Sequence, residues 1–499
     1  MVGTSHESEN YDRFTAKRIN FDQQENMSLQ LGSAQDQNAW SEGNQWTINS
    51  FFSRVNYTFA NKYVIEGTIR ADGSSRFDPD HRWGWFPGVN AAWRVGEEGF
   101  MKRLGWFEDL KVRASYGEMG NQSGIGLYDY IQLISLSNDY YPFGAGVKGQ
   151  MATSGNIIST SRTWETIQTT NVGFDFSTLN NRLYGSFDYF WKENKNMLIP
   201  KTYPSMLGAD APSTNSGHLS IHGWEISLGW RDQIKDFSYS VRFNISDAKN
   251  KVVDRVGSNL IKLGNNETPT GYPLNSYFGY EFDGIIQNEQ ELEAYKSRFS
   301  EGGIPGDLSV GDAMYKDLDG DGKLSVLGDG KEGSGDVKYL GDKNPRYNFG
   351  FNLSMAWKGF DLSAFIQGVG RRTMFLEGES RCPMPEAWYQ SAEYWYGKTW
   401  TPERTDAQYP AITLKDKRNY NYYVSTNTKF NVAYARLKNL QFGYTIPQTL
   451  TSKAGLQKVR VIFPARIYSR YITRQMVGTR RRTAVALLPI RLPVIIHLV

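Results

Sequence analysis

Arg54-Val55-Asn56-Tyr57-Thr58-Phe59, then Ala60-Asn61-Lys62, then Tyr63-Val64-Ile65-Glu66-Gly67-Thr68-Ile69-Arg70 is the stretch from which the fold is read. Val55, Tyr57 and Phe59 fall on one side of an extended chain, and Arg54, Asn56 and Thr58 on the other. After the break, Tyr63, Ile65, Gly67 and Ile69 oppose Val64, Glu66, Thr68 and Arg70. Side chains of a strand alternate between its two faces. Two alternating runs around a short break therefore predict a β-hairpin.

The same period recurs along the chain. Leu110–Tyr116, Val172–Phe176, Leu183–Trp191, Trp224–Trp230, Phe237–Ile245, Phe349–Trp357 and Leu440–Ile446 all alternate. About a dozen such runs are present, many of about ten residues, the length of a tilted membrane-crossing strand. Breaks such as Leu179–Arg182 and Lys358-Gly359 are short, whereas Glu118–Met151 and Ile285–Asn344 are long and polar. Short turns alternating with long loops are the layout of an outer-membrane barrel. A soluble sandwich shares the period but has shorter strands. Two helices are expected, at Asn288–Phe299 and, more weakly, Pro385–Thr399.

Composition agrees. The chain holds 30 Tyr, 27 Phe and 14 Trp, yet only 39% of residues are hydrophobic, and mean hydropathy is −0.53. A barrel with aromatic girdles and a polar lumen has this balance. The net charge of +4 is a local effect. Ala465–Val499 carries seven arginines and no acid; without it, 49 basic residues face 52 acidic ones. A mildly acidic body argues against nucleic acid as a partner. The lone Cys382 rules out a disulfide framework within the chain and reads as an incidental loop residue. Met1–Phe21 lacks the apolar run of a signal peptide.

Several strings together resemble the SusC/RagA family of TonB-dependent outer-membrane transporters over Trp46–Phe463. They are Tyr63–Phe86 (YVIEGTIRADGSSRFDPDHRWGWF), Leu110–Asn121 (LKVRASYGEMGN), Trp164–Lys192, Gly223–Trp230, Gly341–Gly370 and Arg436–Pro447 (RLKNLQFGYTIP). The resemblance implies an all-β fold, a transmembrane antiparallel β-barrel with long extracellular loops in the outer membrane of Bacteroidetes-type bacteria. It implies TonB-dependent uptake of a glycan, with peptides as the alternative substrate, and no enzymatic activity. It also implies a SusD-like lipoprotein lid, the TonB complex and outer-membrane lipid as partners. Residues 1–463 are expected to be the C-terminal part of such a barrel, without the plug and N-terminal domain. This part alone is expected neither to close a barrel nor to transport, since open sheet edges are costly in lipid. Residues 464–499 depart from the family pattern and are expected to be an aberrant tail produced by a frameshift; the alternative is a basic membrane-surface segment. A carbohydrate-binding surface β-protein without a pore is the competing function, and a surface glycan hydrolase the third.

One motif carries metal chemistry. Asp317-Leu318-Asp319-Gly320-Asp321-Gly322-Lys323-Leu324-Ser325 has the first half of an EF-hand calcium loop. Asp317, Asp319 and Asp321 would ligate through carboxylates, Lys323 through its carbonyl, and Ser325 directly or through water. The closing Glu is missing: Gly328 holds its place, with Asp329 next. The alternative is a solvated turn without metal. No cofactor is required, and a structural calcium is the one ion suggested. No catalytic constellation is found. His218 and His222 lie on a turn or strand rather than a helix, and the adjacent Glu97 and Glu98 would point to opposite faces of a strand. Trp83, Trp85, Tyr140, Tyr141, Trp388, Tyr389, Trp395 and Tyr396 are candidates for stacking on sugars or, more simply, for girdles and loop cores. The ligand-binding residues themselves are not readable.

Overall fold

The computed structural model describes residues 1–499 except 22–27, 34, 36, 138–141, 144–146, 149–150, 156, 201–205, 207–211, 256–267, 327–334, 385–390, 414–415, 458, 466–494 and 499. One 14-stranded sheet dominates it. Its strands are β1 (Val2–Lys17), β2 (Asn38–Phe59), β3 (Tyr63–Ser74), β4 (Trp83–Trp93), β5 (Asp109–Asn121), β6 (Glu165–Thr178) and β7 (Leu183–Pro200). They continue as β8 (Ser213–Ile234), β9 (Phe237–Asp254), β10 (Arg346–Trp357), β11 (Phe360–Arg371), β12 (Tyr434–Thr445), β13 (Val459–Ala465) and β14 (Ile495–Leu498). Neighbours in the sheet follow the order of the chain throughout.

The quoted hairpin forms with Phe59 opposite Tyr63 and Val55 opposite Gly67. Its turn uses left-handed backbone at Ala60 (φ 50°) and Asn61 (φ 56°). Lys358 (φ 44°) and Gly359 (φ 91°) close β10 onto β11 with Trp357 opposite Phe360. Positive φ at both central residues is what a two-residue turn needs to match strand twist. Leu179, Asn180 and Asn181 are all left-handed between β6 and β7.

Three features differ from expectation. The strands are longer: β2 and β8 run for 22 residues each. β1 lies upstream of Trp46, where the resemblance begins, and pairs along its whole length with β2, Glu9 opposite Trp46. Glu97 ends a 3-10 turn, Val95–Glu97, and Glu98 stands at the N-terminal boundary of the following helix, so the two are not on a strand. In the expected tail, Ile495–Leu498 pairs with Val459–Ile462, and most of the remainder lies outside the described residues.

The chain divides into two compact units. The first comprises Met1–Ala91, Ser115–Thr170 and Glu193–His218. Its core is Phe77, Phe86, Ile125 and Trp164, where the Trp164 ring lies 5.1 Å from Phe77 and 5.7 Å from Phe86. The Trp164 indole N–H donates to the Arg82 carbonyl at 2.8 Å, so its polar atom is satisfied.

The second comprises Ala92–Ala114, Asn171–Lys192 and Leu219–Val499. Its largest core is built by loops rather than by the sheet: Tyr280, Ile286, Leu292, Tyr295, Leu308, Tyr315 and Tyr420 pack together. The expected helix at 288–299 forms over Glu289–Lys296, and the Asn288 side chain caps it by accepting from the Glu291 N–H. The Pro385–Thr399 helix does not form in the described part. Residues 385–390 lie outside it, and Glu393–Trp395 is a single 3-10 turn. Ser276–Tyr280 pairs with Val337–Asp342, and Phe282–Ile285 with Ala313–Tyr315.

Candidate functional site

The wall has two chemically distinct faces. On one, large apolar side chains stand exposed: Val55, Tyr57 and Phe59 on β2, Tyr63, Ile65 and Ile69 on β3, and Trp83 and Trp85 on β4. Val55 is 68% and Trp85 65% exposed. The pattern continues through Val172 and Phe174 on β6, Leu228 on β8, Trp357 on β10 and Phe442 on β12. So much apolar surface left bare in register marks contact with a non-aqueous medium. No described helix is long and apolar enough to cross a membrane; the strands carry this face.

The alternate positions are polar and cross-linked. Glu66 accepts from Arg54, from Asn56 at 3.0 Å and from Asn90 at 3.2 Å. Arg113 of β5 forks onto Asp175 of β6 at 2.9 and 3.0 Å, and onto Asp188 of β7 at 2.7 and 2.9 Å. Arg460 of β13 reaches Asp361 of β11 at 2.5 and 3.1 Å. Both of these latter links pass over an intervening strand, and in both a glycine lies beneath the carboxylate. A Cβ on Gly173 would sit 2.5 Å from Asp188 Oδ1, and one on Gly443 would sit 2.5 Å from Asp361 Oδ1. Charge-assisted forks of this kind fix geometry as well as adding energy.

The acidic loop folds as a turn around its own backbone. Asp317 accepts from the N–H groups of Gly320 at 2.6 Å and Gly322 at 2.9 Å. Asp319 accepts from Asp321 at 3.2 Å, and Asp321 from Lys323 at 2.7 Å. The carboxylates brought together are Asp317, Asp319 and Asp336, whose ligand atoms lie within 4.8 Å of one another. Asp321 is not among them. Asp336, missed by the sequence reading, is fully buried and accepts from the N–H of Leu318 at 2.6 Å and of Ser325 at 2.8 Å. Ser325 thus meets the cluster through its amide. Burial pushes the Asp336 carboxyl above its ordinary value, and burial followed by the charges of Asp321 and Asp317 does the same to Asp319. Clustered oxygens whose ionisation is held back suit a divalent cation. Gly328 and Asp329 lie outside the described residues.

The aromatic candidates separate. Trp83 stacks on Phe51 at 5.9 Å within the exposed apolar face, and Trp85 stands on the same face. Trp395 is buried against Tyr409 and Tyr422, together with Cys382, which is therefore a core residue rather than an incidental loop one. Tyr396 is 89% exposed. Tyr140, Tyr141, Trp388 and Tyr389 lie outside the described residues. His218 sits on β8 and pairs with Glu193 at 2.6 Å.

Residues 2–462 match the family model "TonB dependent receptor-like, beta-barrel". The chain is 32% identical over 434 residues to TonB-dependent receptor P3 of Formosa agariphila, covering 84% of this chain and 40% of that protein. It is 27% identical over 440 residues to TonB-dependent receptor SusC of Bacteroides thetaiotaomicron, covering 82% and 39%. It thus spans about two fifths of the length of these curated relatives. The RagAB peptide transporter superposes with a TM-score of 0.74 at 22% identity, over 93% of this chain and 48% of that one, a likeness of fold. These relatives are receptors and transporters rather than enzymes. With its alternating meander, bare apolar face and cross-linked polar face, the chain belongs to the TonB-dependent receptor β-barrel family of the outer membrane.

Proposed function

We propose that the chain supplies barrel wall and outer loops to a TonB-dependent importer of oligosaccharides that works with a SusD-like lipoprotein lid. The observation that carries this reading is the two-faced wall: apolar side chains toward lipid, and forks such as Arg113–Asp175–Asp188 toward water. The TonB complex is the energy-supplying partner in this reading. Peptides are the second substrate reading, favoured by the likeness to a peptide transporter. Deleting the gene and measuring growth and uptake on oligosaccharides and on peptides as sole carbon source decides between them. Loss on glycans alone supports the first reading, loss on peptides alone supports the second, and no loss on either overturns uptake. Recovery of the intact receptor with a lipoprotein after mild detergent extraction tests the lid; recovery of a soluble protein free of membrane favours a binding protein instead.

The same proposal includes a structural calcium ion held by Asp317, Asp319 and Asp336, with Asp321, Lys323 and Ser325 shaping the turn. Its role is to stiffen the loop.

A further inference from the structure

Every cross-strand arginine described so far is matched by carboxylates. A cavity of the second unit, about 360 Å³ in volume, breaks that rule. Lys249 and Lys251 of β9, Arg346 opening β10, Arg371 closing β11 and Arg372 just beyond it all line the space. Asp342 is the sole acidic residue in the lining. Its carboxylate is already occupied, accepting from the Tyr339 hydroxyl at 2.7 Å and the Asn344 N–H at 3.0 Å. Arg346 is held by Asp247, which is 6% exposed, and Arg372 donates to the Lys343 carbonyl at 3.1 Å. Lys249, Lys251 and Arg371 are exposed, and among the described residues none of them is ion-paired to a carboxylate.

The excess of positive charge is local, because the body of the chain is mildly acidic. A neighbour registers it: burial, and then the charges of Arg371 and Lys338, hold the Lys429 ammonium below its ordinary value. A tight cluster of cations costs self-repulsion that an anion relieves. Guanidinium forks match carboxylate and sulfate geometry, and a cavity of a few hundred Å³ accommodates a single-ring ligand.

We propose that this cavity binds an oxyanion group, a carboxylate or sulfate, carried by the imported solute, with Arg371 and Lys249 as its principal contacts. The proposal rests on the uptake reading and narrows it to negatively charged solutes.

The test is calorimetric binding to the complete receptor polypeptide purified from outer membranes in detergent. The probes are a galacturonate oligomer, a sulfated oligosaccharide, an acidic peptide and a neutral maltose oligomer of matched length. At least one anionic probe is expected to bind while the neutral one does not, with affinity falling as sodium chloride is raised. Which anionic probe binds identifies the carrier of the group. Arg371→Gln should weaken that binding roughly tenfold or more, and Arg371→Lys should retain part of it. Lys249→Gln, on a different strand, gives an independent reading, with heat-modifiable gel migration as the check that the barrel is intact. Equal binding of neutral and anionic probes, or wild-type binding by both Gln variants, overturns the site. Uptake of a neutral glycan by cells, without anion binding by the pure receptor, would overturn this proposal and leave the uptake reading standing.

Discussion

Tyr295 and Tyr420 share a hydroxyl-to-hydroxyl hydrogen bond of 2.8 Å across 125 residues of chain. The Tyr295 hydroxyl also donates to the Tyr315 carbonyl at 3.1 Å and accepts from the Tyr315 N–H at 2.9 Å. A phenol has one proton to give, so Tyr420 is the donor in the shared bond and Tyr295 is saturated. Tyr420→Phe removes one bond and is expected to cost about 1 kcal/mol. Tyr295→Phe leaves both backbone groups of Tyr315 buried and unsatisfied, and should cost about 1–3 kcal/mol for each. Hydrogen exchange at the Tyr315 amide checks the order: the Tyr295 variant must exchange faster than the Tyr420 variant.

The same core has an alkaline limit. Burial raises the phenols of Tyr315 and Tyr420 above their ordinary value. In an opened loop they ionise near 10, so the open state loses protons first. Their stabilising contribution is complete below that pH and drains away above it. Proteolysis of the 276–342 segment should therefore accelerate above about pH 10 and stay flat through neutrality. Acceleration on the acid side alone would contradict this assignment.

The exposed apolar face predicts a depth-dependent penalty. Ile69 lies farther along β3 from the Ala60–Lys62 turn than Tyr63 does. Ile69→Arg in the complete receptor should cost about 2–4 kcal/mol, and Tyr63→Arg about 0–1 kcal/mol, if the turn marks the membrane surface. Urea unfolding in phospholipid vesicles measures both; equal and negligible costs would place this face in water.

Gly443 gives a coupled prediction. The atom its Cβ would strike is the far end of the Asp361 side chain, which can swing away at the expense of Arg460. Gly443→Ala should then cost about 1 kcal/mol in the native background and little in Asp361→Ala. A double-mutant cycle with additive costs would show that the glycine serves something else.

Calcium should protect the acidic loop. Adding the ion to chelator-treated receptor is expected to slow proteolysis between Lys316 and Val337, and Asp319→Asn or Asp317→Asn should remove the effect. Identical digestion with calcium and with chelator dismisses the metal reading.

How much of this was legible follows the range of the interactions. The period-two runs of β2, β3 and β7 and the left-handed turns are written in adjacent residues, so the wall was readable. β1 was not, because Ser5-His6-Glu7-Ser8-Glu9-Asn10 is polar on both faces and carries no alternation. Among candidate metal ligands, Asp317 and Asp319 stand in a spaced motif, whereas Asp336 joins them only when the chain returns, from beyond the position where an EF-hand would close. The Arg113 and Arg460 links skip a strand and depend on register and on glycine, neither of which a one-dimensional pattern records.

Because each strand in the sheet is hydrogen-bonded only to the strands before and after it in the sheet's own sequence, lengthening the segment between β9 and β10 displaces no pairing within that sheet. Inheritance can thus act on two parts separately. The staves must keep their count and register, while the crown between them can be cut and regrown. Descendants of one ancestor can diverge in what they catch without relearning how to stand in a bilayer.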